Sequence, residues 1–433
     1  MTQPSLDCLP GLRDETALTV EIDPIHDSRL LGVLFTSYLQ QSVDVLEVRR
    51  SPIGNGQETW FVETSVGRFV VRRSAKGGPL TWTSRSMEFE VLESLQSIGL
   101  PIPRVLWHEP EGGSLGRAYL VMEALPGKPP GRSFDGAMAR ELGRVLAQLH
   151  HKTRRDSHMV GHGHLAGILT ATSVRFKHTL FRTEPLATEL LQWAESHIPE
   201  TTARAVRLWG DPGPHNMLVA DGRVTGLLDW EMTSLGHPGE DIGAALWSVL
   251  GFADPLEVLN GYAESGSVPS EAEVCWFHVV AQLVRAGQAL EGTRAFLEAE
   301  SDEVTLPAMG LGLVTANLLR AASAAWGLHG EASTVVTGQH NAPVEPYTQR
   351  MLQRLRAVQT SLSVSQDSRT TTRRRIIEVV IAAYSAGAAN RMQSVEGGVI
   401  SRAELIQEVL TRRDRMRDLL VYFGPTTSTS VAK

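Results

Sequence analysis

The sequence predicts an α+β chain, with a small antiparallel sheet first and a larger, mainly helical part after it. Three observations carry this. Strand-length runs rich in β-branched and aromatic residues crowd into positions 43–122, bounded by turn signals. Apolar residues recur at helical spacing over most of 135–363. Within the helical regime stands one hairpin, RLWGDPGPHNMLVADGRVTGLLDW, whose strands each end in a carboxylate.

Composition sets the bounds. A chain of 433 residues has room for two or three packing units and a sizeable core. With 42% hydrophobic and 21% charged residues it reads as an ordinary soluble globular protein. Its net charge of −7 argues against nucleic acid and against non-specific membrane binding. The cysteines, Cys8 and Cys275, make no disulfide framework, which points to a reduced, cytoplasmic setting. The N-terminus lacks a basic and an apolar segment, so no signal peptide is expected. No apolar run approaches the ~20 residues of a membrane span. The best candidate, 376–389, is interrupted by Glu378 and Ser385.

Residues 1–28 read as a loose lead-in, and Leu30, Leu31, Val33, Leu34 and Leu39 predict a helix over 27–41. Strands are expected at 43–50, 58–64 and 67–73. Gly54 and Gly56 fall between the first two, where glycine lets the backbone donate N–H groups to a phosphate, although a plain hairpin turn fits the same residues. In the third strand Val70 and Arg72 share a face. Solvated arginines on an edge strand are the alternative reading. A helix follows over 83–98, capped by Thr83 or Ser84, with Phe89, Leu92 and Leu95 on one side and Glu88 and Glu90 near its start. Strands at 105–107 and 118–122 lead into YLVMEALPG, a buried strand running into a turn.

Beyond it, 135–151 is an amphipathic helix, 152–180 reads as irregular and suited to lining a substrate pocket, and 185–198 is helical. Scattered His158, His162, His164 and His178 lack zinc-ligand spacing. After the hairpin, helices are expected at 242–250, 254–264, 270–298, 304–327 and 344–363, with a loop at 330–341. Residues 361–372 form a polar linker, 373–424 a small helical accessory unit, and 425–433 a disordered tail.

The hairpin concentrates the chemistry. Strands at 206–209, 217–219 and 224–228 are separated by a Pro/Gly-rich loop and by the turn signal Asp221-Gly222. Asp211, Asn216 and Asp229 thereby gather at strand ends, and converging oxygen ligands suit a hard cation such as Mg2+, which takes its remaining ligands from water and phosphates. Solvated aspartates at turns are the plain alternative for any one of them.

Trp209-Gly210-Asp211, Asn216 five residues on, and Asp229-Trp230-Glu231 together resemble the aminoglycoside phosphotransferase-like kinase family. The likeness is greatest to the branch linked with acyl-CoA dehydrogenases, where Trp often replaces the His of His-Gly-Asp. The resemblance covers roughly 30–330 and implies a protein-kinase-like bilobal fold, with an N-terminal nucleotide lobe at 29–124, a C-terminal lobe at 125–360 and a C-terminal helical extension. It implies ATP and Mg2+ as cofactors and a small-molecule hydroxyl as phosphoryl acceptor, such as a hydroxyacyl metabolite or an aminoglycoside-like compound. Asp211 is then the catalytic base, and Asn216 and Asp229 the metal ligands. Gly54 and Gly56 cover the phosphates, Val70 covers adenine, and Arg72, steered by Glu88, fixes the phosphates. The Glu123 carbonyl and the Leu125 N–H hold the adenine edge, and Asp241 braces the catalytic loop. Arg72 stands where the family has Lys, and the two are not interchangeable. A pseudokinase-like binding module is the rival reading. A scaffold that docks a partner protein or a second copy through the C-terminal helical unit is another.

Overall fold

A computed structural model of the chain describes residues 23–51, 57–75, 77, 80, 83–177, 185–326, 334–336, 345–361, 377–378, 380–381 and 399–401. Gly54 and Gly56, the polar linker, most of the accessory unit and the tail lie outside the described residues.

Helix α1 (Ser28–Leu39) opens on Asp27, whose carboxylate accepts from the Arg29 and Leu30 N–H groups. Strands β1 (Val45–Arg50), β2 (Glu58–Thr64) and β3 (Gly67–Arg73) follow as a meander. Helix α2 (Arg85–Leu95) is capped by Ser84. Strands β4 (Val105–Glu109) and β5 (Tyr119–Glu123) complete an antiparallel sheet of order β1-β2-β3-β5-β4. Strand β3 is therefore central, and Arg72 and Arg73 are buried, which removes the edge-strand reading. One face of the sheet packs Trp60, Val62, Phe69 and Val71 against Leu31 and Phe35 of α1. Val70 and Arg72 lie on the other.

Helix α3 (Gly136–Thr153) leads to β6 (Arg155–Met159) and α4 (His162–Lys177). These two elements correct the expectation of irregular chain at 152–180. Gly163 and Gly167 weaken helical propensity. Leu165, Leu169 and Phe176 nevertheless share a buried face packed with α5 (Pro185–Ser196) and α8 (Glu271–Leu297), so tertiary burial outweighs propensity.

Strand β7 (Arg204–Leu208) pairs with β10 (Ser234–Gly236), and between them β8 (Met217–Ala220) and β9 (Arg223–Leu227) form the hairpin. Helices α6 (Pro238–Val249), α7 (Leu256–Ala263), α8 and α9 (Thr305–Trp326) make the helical core. Helix α9 is, among the described residues, the one long and apolar enough to cross a membrane by length and composition, a stronger candidate than 376–389. It packs along α8, and 65% of its most apolar stretch is buried inside the protein.

Within the expected loop at 330–341, β11 (Thr334–Val336) pairs with β12 (Val399–Ser401), flanking α10 (Glu345–Ser361) in sequence. The β-branched residues at 335, 336, 399 and 400 favour this pairing, so a short strand ending at Ser401 stands within the expected helical unit. Ile377 and Val380 are fully buried against Met351 and Leu355 of α10.

Candidate active site

The loop from β7 to β8 is held from beneath. Gly210 has φ +91°, and a Cβ there would lie 2.3 Å from the Met232 carbonyl oxygen, so only glycine fits between Trp209 and Asp211. Asp241, buried on α6, accepts from the Trp209 N–H at 2.7 Å and the Gly210 N–H at 2.9 Å. It braces the loop, while the cap of α6 is made by His237. Trp209 is fully buried, stacks on Trp230 and donates its indole N–H to the Leu228 carbonyl at 2.8 Å. One donor thus ties the start of the loop to the end of β9.

Asp211 faces three groups. Its Oδ1 lies 2.6 Å from Arg285 of α8, and its Oδ2 lies 3.1 Å from both His215 Nε2 and Asn216 Nδ2. Burial works against its charge, yet Arg285 and His215 hold its carboxyl well below the usual range. For His215 burial favours the neutral ring, but the Asp211 carboxylate outweighs it and the net shift is upward. Asn216 is buried and donates through Nδ2 to the Asp211 backbone oxygen as well as to its side chain.

Asp229 closes β9 in the left-handed region, φ +62°, a conformation that a short polar side chain tolerates. Its Oδ1 accepts from Arg72 Nη2 at 2.7 Å. Arg72 also lies 3.1 Å from Glu88 and 3.6 Å from Glu231. Burial disfavours its charge, and Glu88, Asp229 and Glu231 more than restore it, so its pKa is raised. Arg85 pairs with Glu88 and, at 2.9 Å, with Glu231. Burial, then the charge of Asp229, push Glu231 up to about 7. Two arginines and three carboxylates, of which only Asp229 reaches the surface, thus form one network joining sheet, α2 and hairpin.

The end of β5 is tied to the same hairpin. The Glu123 N–H donates to the Arg104 carbonyl at 2.9 Å, and its side chain pairs with Arg104 at the surface. Lys128 and Val219 exchange two backbone bonds, and Thr225 Oγ1 donates to the Pro126 carbonyl at 2.6 Å.

The family model of the phosphotransferase enzymes matches residues 47–277, just over half of the chain. The chain belongs to the phosphotransferase enzyme family. It is 25% identical over 289 residues to acyl-CoA dehydrogenase family member 11 of Homo sapiens, covering 61% of this chain and 37% of that protein. The chain therefore spans little more than a third of that relative's length. Among solved structures it resembles a putative aminoglycoside phosphotransferase from Ralstonia eutropha, with TM-score 0.55 and 17% identity over 69% of this chain and 98% of that one. It also resembles LicA in complex with AMP, with TM-score 0.50 and 16% identity over 69% and 99% of the two chains. These likenesses show the fold: an antiparallel sheet lobe and a helical lobe of the aminoglycoside phosphotransferase type.

In this family member the residues singled out from sequence fall into two contact groups. Asp211 meets Asn216, while Arg72 meets both Asp229 and Glu88. Glu88 rather than Glu90 faces Arg72; Glu88 is buried and Glu90 exposed. Val70 is half-buried in mid-strand, opposite Phe61 and Met122. Leu125 is half-buried beside Gly226 of the hairpin. Sequence reasoning passed over Arg285 and Arg85. The signal for Arg85 was its place three residues before Glu88; Arg285 carries no local signal.

A hard divalent cation fits the donor set in part. Among the described residues no cluster of three or more His, Cys, Asp or Glu forms a self-contained cage. Both Asn216 side-chain bonds come from Nδ2, which leaves its Oδ1 for a cation, and Asp229 commits one oxygen to Arg72. An amide oxygen and a carboxylate, completed by phosphates and water, match how Mg2+ is held.

Proposed function

We propose that the chain transfers the terminal phosphoryl group of ATP to a hydroxyl of a small molecule, with Mg2+ as cofactor. The observation that supports this most is the Arg72–Asp229 pair at 2.7 Å, which brings the candidate phosphate-binding cation of the sheet against the candidate metal-binding carboxylate of the hairpin. The occurrence of AMP in the structural relative LicA is in keeping with it.

In this reading Asp211 orients the acceptor hydroxyl and takes its proton, while Asn216 and His215 fix the carboxylate. Arg72, positioned by Glu88 and charged despite its burial, holds the donor phosphates. The Glu123 carbonyl and Leu125 N–H take the adenine edge, with Val70 on its face. Asn216 and Asp229 would hold Mg2+, which would supply charge neutralisation to the phosphates. The acceptor is a hydroxyacyl metabolite, in keeping with the acyl-CoA dehydrogenase relatives, or an aminoglycoside-like compound.

A binding module without transfer is the second reading. The 2.6 Å pairing of Arg285 with Asp211 favours it, because a carboxylate committed to a guanidinium is a poor base. ADP release is measured with Mg2+-ATP and a panel of hydroxylated metabolites. Acceptor-dependent release that Asp211→Asn abolishes supports transfer. ATP binding without release for any acceptor supports the module.

A further inference from the structure

Arg285 stands where the acceptor must arrive. Its Nη2 is 2.6 Å from Asp211 Oδ1 and 3.2 Å from the Gly210 carbonyl, and its guanidinium lies over the Trp247 ring at 5.3 Å. Its Nη1 faces Gln288 Oε1 at 3.1 Å. A hydroxyl that reaches Asp211 brings its neighbouring substituents within reach of this guanidinium. We propose that the acceptor carries an oxyanion, carboxylate or phosphate, close to the reacting hydroxyl, and that Arg285 with its α8–α9 surroundings is the site that recognises it. The inference rests on the phosphotransfer reading for the location of the hydroxyl, and on the side chains themselves for the charge.

Three features agree. A planar fork set on an aromatic ring is suited to bidentate recognition of carboxylate or phosphate. A cationic acceptor would meet like charge at this position. Polar capacity also continues away from Asp211. Gln282, one turn before Arg285 on α8, is fully buried with neither side-chain amide atom bonded. Asn317 of α9 is fully buried, accepts from Trp247 Nε1 at 2.8 Å and leaves its Nδ2 unbonded. Buried amides without partners are rare and costly, so these two leave unmet polar capacity in the shell around Arg285.

Arrival of the oxyanion also accounts for the Asp211 pairing. An acceptor carboxylate or phosphate competes for the guanidinium and frees Asp211 Oδ1 for the hydroxyl. No bond to carbon changes in this exchange, and the proton taken by Asp211 is the one that the hydroxyl loses on phosphoryl transfer.

The test uses the full chain and four probes: 3-hydroxybutyrate, glycerol 3-phosphate, butane-1,3-diol and choline. Binding is followed by ligand-observed NMR, and ADP release with Mg2+-ATP is followed separately. Binding of at least one anionic probe about tenfold more tightly than the diol and choline, lost in Arg285→Gln and partly kept in Arg285→Lys, supports the proposal, and which anion wins separates carboxylate from phosphate. Anion binding with no ADP release would sink the phosphotransfer reading and leave the recognition standing. Tighter binding of the diol or choline overturns the proposal. So does an Arg285→Gln variant that weakens all four probes alike, since that is the behaviour of a loop brace to the Gly210 carbonyl.

Discussion

Arg72 of β3 donates to Asp229 at 2.7 Å across 157 positions of sequence. The pair joins the sheet to the hairpin inside a network in which Glu88, Glu231 and Arg85 are also buried. Each member is tolerable only because the others compensate it.

Replacing Arg72 by Ala leaves Glu88, Asp229 and Glu231 short of one cation. A loss of about 3 kcal/mol or more in denaturant-derived stability is expected. Arg72→Lys keeps the charge but cannot fork between two carboxylates, so a loss nearer about 1 kcal/mol and a raised KM for ATP are expected. Equal stabilities for the two variants would contradict the network.

Asp241 holds the two N–H groups that precede Asp211. Asp241→Ala leaves both without their acceptor beneath the loop, which costs about 3 kcal/mol. Turnover should fall by a larger factor than KM for ATP rises, because the loop positions the base rather than the nucleotide. Steady-state kinetics beside a denaturant titration will separate these effects.

Trp209 contributes a hydrogen bond and a stack. Trp209→Phe keeps most of the packing and should cost about 1 kcal/mol. Trp209→Ala opens a cavity under the hairpin and should cost about 4 kcal/mol. If the two variants melt at the same temperature, packing is not what holds this ring.

His278 gives a pH signature. Burial, with Arg320 nearby, pushes it down to about 4 from a model-compound value of 6.5. Between these values the unfolded chain binds a proton that the fold refuses, so stability falls as pH drops through this window. From pH 7 to pH 5 the native protein should lose about 2 kcal/mol more than a His278→Gln variant. A constant difference between the two across that range would show that His278 titrates normally in the fold.

Much of the site was legible because its residues are close in sequence. The glycine, the Asp, the Asn five positions on and the Asp that ends the return strand sit in one hairpin, whose turn chemistry fixes their relation locally. Strands β2 and β3 fall at the expected bounds, 58–64 and 67–73, since alternation and turns delimit them. Helix α4 was missed because its glycines and histidines speak against a helix, although Leu165, Leu169 and Phe176 carry the period that its packing uses.

The sequence alone determined the order of the sheet-lobe elements, the α+β class and the spacing of Asp211, Asn216 and Asp229. These depend on periodicity and turns, which act over a few residues. Tertiary structure alone decided that β3 is central with Arg72 and Arg73 buried, and that Arg285 reaches a loop 75 positions before it. Those choices are made by the packing of distant elements, and a mid-helix arginine carries no local pattern that says which carboxylate it will face.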